Sequence, residues 1–140
     1  MAEIRDLGDL VADVVDRLVT GRLQVGFMAP IRRGSAAGTL AVVPDPDEHG
    51  TNMLLVQLRI VRDAGGRHPG FYRRLLELNQ AMNGKAAFSV DDEGVVLLMA
   101  GRPLTDLDPG EAIDLILWTA DRADHFDDLL LGEFGAEYRL

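Results

Sequence analysis

Residues 86–100 read AAFSVDDEGVVLLMA, and they place three consecutive acids between two apolar runs. Clustered carboxylates of this kind can belong to a metal loop, a catalytic pair or a turn. A calcium loop of the EF-hand type places an acid five residues before its turn glycine, and here that position is Ser89. Short acids followed by Gly94 are instead typical of a hairpin connection, where they bond to local backbone. We therefore predict two strands, 85–90 and 95–100, joined by a plain turn.

Upstream of this hairpin, the spacing of apolar residues changes from a helical period to a strand period. Apolar residues recur every three or four positions from Ile4 to Leu18, with acids between them, which predicts an amphipathic helix ending near Thr20. Three candidate strands follow, at residues 23–28, 38–43 and 52–62. The segment PDPDEHGTN between the last two is rich in residues that favour turns and predicts a loop.

Downstream of the third strand the helical period returns. Phe71, Leu75 and Leu78 have helical spacing, and Asn83-Gly84 follows as a stop signal. After the hairpin, Asp108 as N-cap, Pro109 and Glu111 predict the start of a helix that runs to about Leu130. The resulting order is αβββαββα. Short links between strands favour an antiparallel sheet in an α+β fold, and we expect one domain over residues 1–140.

Composition excludes several classes of protein. The chain has 140 residues and no cysteine, so disulfides, thiolate zinc sites and a cysteine nucleophile are excluded. Acids interrupt the N-terminal apolar pattern, which is unlike a signal peptide, and no apolar run approaches the ~18 residues that span a bilayer. We expect a cytoplasmic protein that is not inserted in a membrane.

The net charge of −9 disfavours a nucleic-acid partner. A polyanion is repelled unless a basic stripe overcomes that field. The basic residues occur only as short pairs, such as Arg32-Arg33 and Arg73-Arg74. We therefore expect no nucleic-acid binding.

No catalytic motif is complete. The phosphate-loop, dinucleotide-loop and nucleophile-elbow patterns all fail on spacing. His49 and His68 lie in segments rich in Gly and Pro, without a partner acid, base or nucleophile that the sequence defines. We expect neither an enzyme nor a bound cofactor.

One constellation leaves a metal-binding or small-ligand module open as an alternative. Asp121, His125 and Asp128 lie along one side of the last helix and could form a carboxylate-imidazole site. A solvated acidic helix face is the favoured interpretation, because no second set of ligands is evident.

The strands carry more apolar surface than one face of a sheet requires. The segment VVLLMA is apolar at every position, so both of its faces need cover. The three helices could cover both faces, or a second subunit or a partner could cover one. The candidate residues for partner or dimer contacts are Leu55, Val61, Val96, Leu98 and Met99.

Residues 75–126, from LLELNQAMNGKAAFSV to WTADRADHF, resemble the type III secretion chaperone-like group. This group includes the CesT-type (Tir chaperone) and YbjN-like families. The shared features are Leu78-Asn79 late in a helix, the strand at Phe88, an acidic turn closing on Gly94, Pro103-Leu104 and a long acidic C-terminal helix.

The resemblance implies a small acidic cytoplasmic homodimer without catalysis. It also implies that the dimer holds an extended segment of a client protein against apolar grooves and sheet edges. A YbjN-like member would instead have a regulatory role without a secreted client. One departure is Arg32-Arg33 with GSAAG, which we expect to lengthen the link between the first two strands.

Overall fold

The computed structural model describes residues 6–45, 47, 51–66 and 68–140. Two 3-10 turns, at Ala64–Gly66 and Ala136–Tyr138, accompany the helices and strands. In chain order, the helices and strands are α1 (Leu7–Val19), β1 (Met28–Arg33), β2 (Ala36–Pro44), β3 (Asn52–Arg62), α2 (Phe71–Ala81), β4 (Ala87–Val90), β5 (Val95–Pro103) and α3 (Pro109–Phe134). This confirms the αβββαββα order and the α+β class.

The five strands form one sheet in the order β1-β2-β3-β5-β4, and all neighbours are antiparallel. The longest strand, β3, lies at the centre. Its Val56 faces Leu40 of β2 on one side and Ala100 of β5 on the other. Because directly opposed residues share a face, this register assigns every strand residue to one side of the sheet.

The acidic stretch quoted first is a hairpin turn, as its spacing predicts. The Asp91 carboxylate accepts hydrogen bonds from the N–H groups of Glu93 at 2.9 Å and Val95 at 3.0 Å. Gly94 has a φ of +79°, in the left-handed region that favours glycine. The carboxylate therefore stabilises the turn that joins β4 to β5.

The last helix begins at its predicted cap. The Asp108 carboxylate accepts from Glu111 N–H at 2.7 Å, while the Glu111 carboxylate accepts from Asp108 N–H at 3.1 Å. This reciprocal capping box, with Pro109 in the first turn, begins α3. At α1, the Asp6 carboxylate accepts a single hydrogen bond from the Gly8 N–H at 2.7 Å, whereas Ile4 lies outside the described residues.

The first strand begins later than predicted. The N–H groups of Arg22 and Leu23 both donate to the Arg17 carbonyl at the end of α1, and the Leu23 side chain is buried in the core. These bonds make 23–28 mainly a helix-to-strand connection, so the strand predicted there is wrong. The link between β1 and β2 is short, contrary to the expectation that Arg32-Arg33 and GSAAG lengthen it. Arg33 and Ala36 are paired, and only Gly34 and Ser35 lie between them.

All three helices contribute to one core on one side of the sheet. Leu54, Val56 and Leu58 of β3 point into this core with Leu98 of β5. A shift in register between Arg59 and Val61 adds an extra residue, so that Ile60 and Val61 are both buried. This bulge extends the apolar stripe toward α2.

Candidate protein-binding surface

The opposite side of the sheet, which we call the open face, carries side chains that are absent from the core under the helices. The register places the following residues on it: Met28, Pro30, Arg32, Ala37, Thr39, Ala41, Val43, Met53, Leu55, Gln57, Arg59, Arg62, Ala87, Ser89, Val95, Leu97, Met99, Gly101 and Pro103. An antiparallel sheet commonly turns one face to water, but that face is then mostly polar.

The middle of the open face is apolar. Leu55 is flanked by Ala41 on β2 and by Gly101 on β5. A Cβ at Gly101 would lie 3.1 Å from Met53 Cε and 3.5 Å from Leu55 Cδ1, so these two apolar side chains pack over the glycine. At the edge, Met28 is 71% exposed. The result is an apolar floor containing three methionines, a side chain that adapts to varied partners.

The charge of the open face differs from that of the whole chain. Acids number 23 in the chain, yet none stands among the open-face residues. The charged residues there are Arg32, Arg59 and Arg62, and all three are exposed. This surface is therefore apolar and basic in a protein of net charge −9.

Both outer strands have reduced capacity to pair with another strand. The Val42 N–H donates to the Phe27 carbonyl at 3.0 Å, and the alternation of an antiparallel ladder then directs the backbone groups of residues 28, 30 and 32 outward. Residue 30 is proline, which has no N–H to donate. On β4, the outward N–H of Phe88 already donates to Asn79 Oδ1 at 2.7 Å. A strand added at either edge would therefore miss one backbone donor.

The five predicted contact residues separate into two groups. Leu55 and Met99 are half-buried on the open face. Val61, Val96 and Leu98 have no exposed surface and pack in the core under the helices. A partner could not contact these three in the described fold, so contact remains a prediction for Leu55 and Met99 alone.

A second apolar strip was missed by the sequence reasoning. Tyr72 and Leu76 lie one turn apart on the outer side of α2, and Leu76 is 67% exposed. Val90 is exposed on the outer strand β4, which α2 contacts. Leu76 does not share the helical spacing of the buried residues Phe71, Leu75 and Leu78. That difference in spacing is the sequence signal that could have predicted an exposed apolar side chain on α2.

The predicted metal ligands on α3 are not assembled into a site. Asp121 Oδ1 lies 2.9 Å from Arg33 Nε in an ion pair, and the His125 ring contacts the ring of Phe126. Among the described residues, no group of three His, Asp or Glu side chains could hold a metal ion. The His68 ring packs edge-on against Phe134, and His49 lies outside the described residues.

No helix in the described part of the chain is both long and apolar enough to cross a lipid bilayer.

Comparisons with known proteins agree with this architecture. The crystal structure of the ExsC-ExsE complex contains a chain that superimposes with a TM-score of 0.58 over 93% of this chain and 97% of that chain. The two sequences are 21% identical, so this likeness concerns the fold. A search of curated proteins found no match. Residues 47–117, just over half of the chain, match the Tir chaperone protein (CesT) family. This confirms the resemblance to type III secretion chaperones, and the chain belongs to the CesT family of Tir chaperones.

Proposed function

We propose that this protein is a non-catalytic chaperone whose open face holds a segment of one client protein. The observation that carries the proposal is an apolar, acid-free sheet face without helical cover, in a chain of a chaperone family. Residues 1–140 act in this proposal as one chaperone-like domain in the cytoplasm, without a cofactor.

Burial of apolar surface supplies the driving force for binding. Each Å² of apolar area removed from water contributes about 25 cal/mol, so a client that covers Leu55, Met99 and Met28 gains several kcal/mol before ordering costs. The neighbouring Thr39 and Gln57 are half-buried on the same face and can bond to a client backbone. Side chains on the sheet face, more than backbone pairing at an edge, would therefore hold the client.

We further propose that two copies associate through the strip formed by Tyr72, Leu76 and Val90. These side chains are exposed large apolar residues grouped on α2 and on the adjacent outer strand. Asn79 occupies the Phe88 N–H, so side-chain packing would dominate over a continuous intersubunit sheet. This arrangement leaves the open face of each copy free for a client.

The proposal is tested by purifying the tagged chain from its own host and identifying partners by mass spectrometry. We expect one near-stoichiometric partner with the natural chain and its loss with Leu55→Asp, because a carboxylate on the apolar floor must be desolvated on binding. Val19→Asp is the matched control, since Val19 is an exposed apolar residue off the open face.

Leu98→Asp is the comparison variant, because it places the same charge in the core of the same sheet. Leu98 is fully buried, so the charge should unfold the chain, whereas Leu55→Asp should retain its unfolding midpoint within a few degrees. Retention of the partner by Leu55→Asp would contradict the proposal. A homodimer that captures no partner would favour the YbjN-like regulatory role.

A further inference from the structure

We propose that the open face selects a client segment in which acidic side chains accompany the apolar ones, with the acids paired to Arg32 and Arg59. This inference rests on the proposed function and adds the chemistry of the client. The occupant is a segment of another protein, and a second copy of this chain is an alternative that the test distinguishes.

The two arginines lie in one row across the sheet. Arg32 of β1 faces Ala37 of β2, and Ala37 faces Arg59 of β3. Strands are spaced about 4.8 Å apart, so the two Cα atoms are separated by roughly 10 Å. Ala37 between them is small, which leaves room for a carboxylate to approach both guanidinium groups. Guanidinium groups bind carboxylates through paired hydrogen bonds.

Neither arginine has an acid partner within the described chain. Elsewhere on the described surface, Arg33 pairs with Asp121, Arg74 with Glu133 and Lys85 with Asp114, whereas Arg62, Arg73 and Arg122 form no ion pair with a described residue. Arg32 and Arg59 are distinguished by their position, because they share one row on the apolar open face. Their charges are therefore available to a bound segment.

The arginine row also gives the open face a direction. Leu55 precedes Arg59 by four residues on β3, a distance of about 13 Å along the strand. The apolar floor thus lies at one end and the arginines at the other. A client would place apolar residues over Leu55 and Met99 and acids roughly four extended residues away.

The charge of the whole chain provides a sharp contrast for the test. A net charge of −9 attracts basic peptides at long range, so a general electrostatic effect predicts the opposite preference. At physiological ionic strength the screening length is about 8 Å, so direct contacts persist while the distant field is weakened. A preference for acidic peptides at that salt concentration would therefore indicate direct contacts with Arg32 and Arg59.

The experiment is selection of a displayed library of random 16-residue peptides on the full chain, followed by sequencing of the bound pool. We expect peptides that combine apolar and acidic residues and that fail to bind Leu55→Asp. Arg32→Glu/Arg59→Glu should reverse the acid enrichment and weaken the best acidic peptide about tenfold in fluorescence anisotropy. Arg73→Glu/Arg122→Glu, which makes the same change in charge off the open face, should leave both readouts unchanged.

Three outcomes would overturn the inference. If the selected peptides depend on Leu55 but lack acids, or still bind Arg32→Glu/Arg59→Glu with unchanged affinity, the proposed preference for acids is wrong. The proposed function would not be affected by that result. Recovery of no peptide that depends on Leu55 would overturn both. A change in molar mass on light scattering with Arg32→Glu/Arg59→Glu would identify the open face as a contact between copies of the chain.

Discussion

At the residue scale, the most informative side chain outside the open face is Asp127. It is buried where the β1–β2 turn meets α3, and the Ser35 hydroxyl donates to its carboxylate. Burial raises the pKa of the Asp127 carboxyl, and the nearby charges of Asp128 and Asp124 raise it further against an opposing effect of Arg139. Ionisation of Asp127 in the folded state therefore lowers the free energy of unfolding.

We predict that Asp127→Asn stabilises the fold at pH 7.5 and that the gain shrinks at pH 4.5. A carboxyl whose pKa is raised in the folded state binds more protons there than in the unfolded chain. Its stabilising contribution is complete below the ordinary value of about 4 and is lost as pH rises through the raised value. Asparagine does not titrate and can still bond to Ser35.

Urea unfolding of both chains at the two pH values checks this prediction. Asp128→Asn, an exposed neighbour on the same helix, controls for the change in net charge. An equal gain for Asp127→Asn at both pH values would show that desolvation of the carboxylate is not the cause.

At the element scale, α3 connects the layers of the fold. Its 26 residues contact β3, β5, β1 and β2 and also pack against α1. The Arg33–Asp121 ion pair and the Ser35–Asp127 hydrogen bond fix the β1–β2 hairpin to this helix. The position of β1, and of Arg32 at the edge of the open face, therefore depends on α3.

We predict that Asp108→Ala lowers the free energy of unfolding by about 1 kcal/mol, within a range of roughly 0.5–2 kcal/mol, because the first turn of α3 loses its cap. Chemical denaturation followed by circular dichroism measures the loss. Asp108→Ser is the matched control, since a hydroxyl can still accept from the Glu111 N–H. A loss for Asp108→Ser as large as that for Asp108→Ala would indicate a role other than capping.

At the scale of the whole molecule, placing all three helices on one side of the sheet leaves two separate surfaces without cover. The open face is broad and carries arginines, whereas the strip on α2 and β4 is narrow and has Leu76 at its most exposed point. Two surfaces of different shape and charge suit two different partners. This difference supports our proposal that a client binds the open face and that a second copy binds the strip on α2 and β4.

We predict that Leu76→Asp shifts the chain from dimer to monomer, with the molar mass from light scattering falling by about half at micromolar concentration. A carboxylate facing its symmetry mate in a two-fold interface meets both desolvation and like-charge repulsion. Val19→Asp, at another exposed apolar position, should leave the mass unchanged. A dimer that persists in Leu76→Asp would move the interface elsewhere.

Local features were predictable because neighbouring residues determine them. The Asp91 turn and the α3 capping box depend on contacts within a few positions in the chain, and the run of apolar residues in β3 is a local pattern. The start of β1 was predicted wrongly, because the apolar residues at 23–28 resemble a strand although Arg22 and Leu23 bond back to the end of α1. The bond from Ser35 to Asp127 of α3 involves a partner far away in the chain.

The sequence by itself therefore determined the order of elements, the α+β class and the excess of apolar strand surface. Only the tertiary structure decided which side of the sheet each residue occupies, and so it separated Leu55 and Met99 from Val61, Val96 and Leu98. The physical reason is that a strand apolar on both sides carries the same pattern whichever face the helices cover. Long-range packing of α1, α2 and α3 resolves that ambiguity, and the pairing of β1, β2 and β3 brings Arg32 and Arg59 into one row.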